Sequence, residues 1–137
     1  MFILDTDHLS LFQRNDPHVT PRILSTPHLN LATTIITVEE QLRGRLDRIR
    51  KARLDEAYVR AYDNLLRTVT FFHTINVIAF DAAAQVMFNQ LRELKLRIGT
   101  QDLRIAAIVL SQGAILVTRN ERDFGKIPSL NLEDWTV

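Results

Sequence analysis

Residues 102–118 read DLRIAAIVLSQGAILVT. The stretch 102–111 is almost wholly apolar (Leu103, Ile105, Ala106, Ala107, Ile108, Val109, Leu110), and a helix that is apolar all round belongs in an interior. Gly113 ends it, and Ala114 to Thr118 reads as a buried strand. Working outward, Phe2, Ile3 and Leu4 form a second short buried strand, closed by Asp5, and Leu31 to Thr34 is extended. Ile75 to Phe80 suits a strand weakened by Asn76, and Leu130 to Leu132 an edge strand. Helices fill the gaps. One starts at Thr6 or Asp7, a short one fits the region punctuated by Pro17, Pro21 and Pro27, and one opens at Thr37 and runs past Arg48. Leu54, Ala57, Tyr58, Ala61, Leu65 and Val69 recur at helical spacing, and Asp81 caps a helix to about Leu96 with Met87, Leu91 and Leu94 inward. Strands alternating with helices predict an α/β fold, a short parallel sheet flanked by helices in three layers.

The 137 residues suffice for one domain with a proper core, so a single domain over 1–137 is expected. Seventeen basic and sixteen acidic residues balance, so no global field announces a polyanionic partner. The absence of cysteine excludes a disulfide scaffold, thiolate zinc and a cysteine nucleophile, and fits a reducing compartment. No apolar stretch approaches the ~18 residues of a membrane span, and no basic region precedes the N-terminal apolar run. A soluble, cytoplasmic protein without membrane contact is expected.

Polar groups mark the element boundaries. Asp5 ends the first strand, Glu40 follows the strand at 31–34, Asp102 opens the apolar helix, and Asn120 and Asp123 follow the strand at 114–118. In a parallel sheet these boundaries share one edge, where ligands collect. Each acid has an ordinary structural reading too. Asp5 suits a helix cap, Glu40 a capping-box partner of Thr37, Asp102 the positive end of a helix dipole, and Asp123 a turn. Clustered carboxylates repel one another and raise each other's pKa. A hard divalent cation with oxygen ligands removes that conflict, and such sites hydrolyse phosphate esters.

The segments FILDTDHLS, ITVEEQLRG, IGTQDLRIAA and ILVTRNERDFGKIPSLNLEDW resemble, in order and along nearly the whole chain, a PIN domain of the VapC toxin type. The resemblance implies a Mg²⁺- or Mn²⁺-dependent endoribonuclease inhibited by a cognate antitoxin, with a tRNA or rRNA loop as its target. It carries the first metal-binding acid to Asp5, the second to Glu40 in the pattern Glu-x-x-x-Gly with Gly44, and the third to Asp102. The fourth position falls on Asn120 or Asp123. Asp7 and Thr118 become supports of the cluster, and hydrolysis would leave a 5′-phosphate and a 3′-hydroxyl.

The basic residues from Arg43 to Arg53 suit either an RNA backbone or a solvated helix face. Arg104 and Arg119 flank Asp102 and Asn120 and are the stronger expectations for phosphate contact. The four histidines lack metal-ligand spacing and read mostly as surface or helix-end residues, with His8, near Asp5, within reach of substrate. Phe71, Phe72 and Trp135 read as core. Apolar residues on several sides of the helices at 37–70 suit a homodimer or an antitoxin groove.

Two rival readings follow. Asp5-Thr6-Asp7 resembles the opening of haloacid-dehalogenase-type phosphatases, with Asp5 as nucleophile and Asp7 as general acid/base, although Leu9 departs from that pattern. The other is a non-catalytic PIN-like module that binds RNA or protein.

Overall fold

The computed structural model describes residues 1–137. Its sheet has five parallel strands: β1 (Phe2–Leu4), β2 (Leu31–Thr34), β3 (Asn76–Ile78), β4 (Ile115–Val117) and β5 (Asn131–Glu133), in the order β3-β2-β1-β4-β5. Ile3 stands beside Ala32 on one side and Leu116 on the other. The chain leaves β1 toward β2 but leaves β4 toward β5. The crevice at the carboxyl ends of β1 and β4 is therefore a topological switch point, where α/β sheets hold their ligands.

The helices are α1 (Thr6–Gln13), α2 (Val19–Ser25), α3 (Ile35–Lys51), α4 (Asp55–Phe72), α5 (Ala82–Glu93), α6 (Thr100–Ser111) and α7 (Glu121–Phe124). Two apolar clusters carry the packing. One gathers Ile3, Ala32 and Leu116 with Phe88, Leu91 and most of α6; the other gathers Leu4, Leu9, Val117, Phe72 and Trp135. Ile105, Ala106, Ala107, Ile108 and Val109 of α6 are all buried, which explains that helix's lack of a polar face. No helix is long and apolar enough to cross a membrane.

Several boundaries differ from the sequence expectation, each for a local reason. The helix after β2 begins at Ile35, capped by Thr34, whose hydroxyl accepts the Thr37 amide at 3.2 Å. Thr37 is therefore inside the helix, and Glu40 is not its capping-box partner. α5 stops at Glu93 because Lys95 takes a left-handed backbone (φ 52°), and Leu94 is half exposed rather than inward. α4 buries Ala61, Thr68 and Phe72 and leaves Tyr58 and Val69 exposed, as is Leu54 just before it. Asn76 does not weaken its strand: its amide donates to the carbonyls of His28 and Leu31, anchoring the sheet edge. α7 was not foreseen.

Candidate active site

Asp5 reaches the switch point because its backbone still belongs to the sheet while its side chain begins a helix. Its amide donates to the Val117 carbonyl at 3.0 Å, and its Oδ1 caps α1 by accepting the His8 amide at 2.8 Å. The cap and the cleft position are thus held by one residue, which is buried. β2 passes into α3 without a loop, bringing Glu40 to the same edge. Thr6 of α1 donates its hydroxyl to Glu40 Oε1 at 2.7 Å and lies 2.9 Å from the Thr37 hydroxyl. Gln41, next to Glu40, exchanges amide hydrogen bonds with Gln13 of α1 at 2.9 and 3.0 Å. These bonds fix the face that α3 turns to the crevice.

Asp102 lies in the first turn of α6. Its carboxyl is pushed up to about 6, first by burial and then by the charges of Glu40, Asp5 and Asp123. The α6 macrodipole acts in the opposite sense, but a helix end is worth only about 0.3–1 kcal/mol, and here burial and like charge prevail.

Beyond β4, Thr118 accepts the Asn120 amide at 3.0 Å. Asn120 caps α7: its Oδ1 accepts the Asp123 amide at 3.3 Å, and its Nδ2 donates to Asp123 Oδ2 at 3.2 Å. Asn120 lines the cleft, and Asp123 stands behind it, with Lys126 3.7 Å away. The open cleft measures about 630 Å³ and is bounded by Asp5, Thr6, Asp7, Ser10, Glu40, Asp102, Arg119, Asn120 and Phe124.

The structure therefore brings Asp5, Glu40, Asp102, Asn120 and Asp123 together, with Asp7 and Thr118 beside them. Arg119 lies at the rim, its Nε 2.7 Å from Asp7 Oδ2 and its Nη2 donating to Oδ1 at 3.1 Å. The other two expected RNA contacts lie elsewhere. Arg104 donates to Gln101 and places its guanidinium 5.4 Å from the Phe88 ring centre. Arg43 pairs with Glu39 at 2.7 Å along a hollow of about 840 Å³ on α3 that shares only Glu40 with the cleft. That hollow is larger, but its acids Glu39 and Asp47 are paired to Arg43 and Lys51, so the unneutralised carboxylates lie in the smaller cleft.

His8 does not face substrate, contrary to expectation: it is fully buried, with Nδ1 3.3 Å from Asp5 Oδ1 and Nε2 accepting the Trp135 amide at 3.2 Å. Asp5, Asp7 and His8 offer ligand-type atoms within 4.8 Å of one another, yet both His8 nitrogens are engaged and Asp7 faces Arg119. Asp5, Glu40 and Asp102, which line the cleft, are oxygen donors of the kind a hard cation takes, and none of them is ion-paired to a Lys or Arg. The sequence reading missed Thr6 and the bridging role of His8. A hydroxyl beside Asp5 was the available signal for Thr6; for His8 no local signal exists.

No family model matches the chain. Ribonuclease VapC1 of Haemophilus influenzae is 28% identical over 138 residues, covering 99% of this chain and 98% of that protein. The tRNA(fMet)-specific endonuclease VapC of Salmonella typhimurium is 29% identical, covering 98% and 97%. A crystal structure of DNA-bound VapBC from Salmonella typhimurium superposes with a TM-score of 0.79 at 27% identity, covering 98% of this chain and 97% of that one. In sequence along its whole length and in fold, this chain resembles the PIN-domain toxins of the VapC type.

Proposed function

We propose that this chain is a toxin-type endoribonuclease that hydrolyses RNA phosphodiesters with Mg²⁺ or Mn²⁺ and is neutralised by a cognate antitoxin. The observation that carries the reading is the convergence of Asp5, Glu40, Asp102 and Asn120 on one cleft at the carboxyl ends of β1 and β4, with none of the three acids ion-paired to a Lys or Arg; the upward shift of Asp102 accords with it. Similarity to ribonucleases over the whole chain supports the substrate class.

Asp5 and Asp102 would hold the cation. When bound, it would neutralise their charge, acidify water and stabilise charge developing at phosphorus. Glu40, with Oε1 held by Thr6, would use its remaining oxygen either as a further ligand or as acceptor for the proton of the attacking water. Asn120, fixed by Thr118 and Asp123, orients that water. Arg119 at the rim meets the phosphate, and Asp7 keeps its guanidinium in place until RNA arrives. The water oxygen, losing a proton, bonds to phosphorus as the bond to the 3′ oxygen breaks and that oxygen takes up a proton from solvent, giving a 3′-hydroxyl and a 5′-phosphate. The exposed Val59, Tyr62 and Leu66 of α4, at helical spacing, support an apolar partner surface for the antitoxin. The phosphatase alternative loses support because its general acid, Asp7, is paired with Arg119.

The test is incubation of the purified, antitoxin-free chain with total RNA in Mg²⁺, Mn²⁺ or EDTA, followed by mapping of the product ends. Cutting that needs the cation and leaves 5′-phosphates is expected. Undiminished cutting in EDTA, or cyclic-phosphate ends, contradicts the mechanism. RNA binding without cutting would favour the non-catalytic module.

A further inference from the structure

His8 is a fully buried ionisable side chain that the mechanism above does not use. Its tautomer follows from its neighbours. The Trp135 amide can only donate, and it lies 3.2 Å from Nε2, so Nε2 is the acceptor and the proton of the neutral ring sits on Nδ1. Asp134 Oδ1 is 3.7 Å from the same Nε2, beyond hydrogen-bonding distance, and does not displace the Trp135 amide. Nδ1 in turn faces Asp5 Oδ1 at 3.3 Å, the oxygen that already accepts the His8 amide at 2.8 Å. One residue thus places two donors on one oxygen of Asp5. Oδ2 makes no hydrogen bond within the protein and belongs to a residue lining the cleft.

We propose that His8 is a positioning residue: it locks the Asp5 carboxylate through Oδ1, is itself oriented by the C-terminal segment through Trp135, and so presents Oδ2 to the cation. The proposal rests on the reading of Asp5 as a cation ligand. Partners that orient a ligating carboxylate commonly change metal affinity by about 10–100-fold when removed. The Trp135–His8–Asp5 chain makes the segment after β5 part of the site's support.

Two substitutions divide the two bonds. In His8→Asn the amide nitrogen overlays Nδ1, keeping the donor to Asp5 and losing the acceptor for Trp135. In His8→Gln the end of the side chain overlays Nε2, keeping the acceptor and losing the donor. Calorimetric titration of the metal-free full chain with Mn²⁺ is expected to show His8→Gln weakened about 10–100-fold and His8→Asn within about threefold of wild type, despite a lower Tm. A purely structural role would weaken both together, and equal losses, or wild-type affinity in His8→Gln, overturn the proposal. Mn²⁺ binding by wild type that is undiminished in Asp5→Asn, or absent altogether, overturns the cation reading itself and His8's role with it. The wild-type protein supplies a measurement independent of folding in the variants: long-range ¹H–¹⁵N NMR of the imidazole must show the Nδ1-protonated tautomer, and an Nε2-protonated ring refutes the arrangement.

Discussion

Thr6 donates its hydroxyl to Glu40 across 34 residues of sequence, and His8 accepts the amide of Trp135 across 127. Such bonds are invisible to periodicity because they depend on how two elements meet. Asp5, Glu40 and Asp102 were legible for the opposite reason: each sits at a strand end or helix start, and a parallel sheet gathers those boundaries at one edge. The ordinary readings fared differently. Asp5 does cap a helix, through an oxygen that leaves the other free, whereas the capping box for Glu40 dissolved once Thr34 proved to be the cap. Replacing Thr6 with Val keeps the shape and removes the donor to Glu40. Cleavage is expected to fall about tenfold or more, with little loss of Tm because the site is only partly buried; full activity in Thr6→Val would show that Glu40 needs no such support.

Among elements, α6 and β4 were read most accurately, because an unbroken apolar helix followed by an apolar strand admits few other placements. The reversal between them depends on Gly113, whose φ of 60° is costly for a residue with a Cβ even though the space around it is open. Gly113→Ala is therefore expected to lower stability by about 1–2 kcal/mol through backbone strain alone, measured by urea unfolding; an unchanged midpoint would contradict this. The helix at 55–72 shows the limit of pattern reading. Its apolar residues recur correctly, yet several are exposed, since periodicity reveals a face without revealing what covers it. α7 escaped notice because its four residues are too short to carry a period.

For the molecule as a whole, the acidic cleft carries a cost in stability. Asp102 rises from 3.8 to about 6 on folding. Above pH 6 it is ionised in both states, and the native state bears the cost. As pH falls from 6 toward 4, the native carboxyl takes up a proton that the unfolded chain still lacks, so this residue's contribution to stability rises with acidification. Half burial screens the effect to the order of 1 kcal/mol. Asp102→Asn should accordingly raise the Tm of the metal-free protein at pH 7.5 and abolish its stabilisation by Mg²⁺, which acts by binding the native state. A lower Tm, or an unchanged response to Mg²⁺, would contradict that origin of the shift. The central claim, that Asp5 and Asp102 hold the cation for RNA hydrolysis, is tested most directly by single-turnover cleavage in Mg²⁺ at fixed pH. Asp5→Asn and Asp102→Asn, each folded as judged by circular dichroism, are predicted to lose more than about 100-fold in rate, and a rate within about tenfold of wild type in either variant would contradict the account.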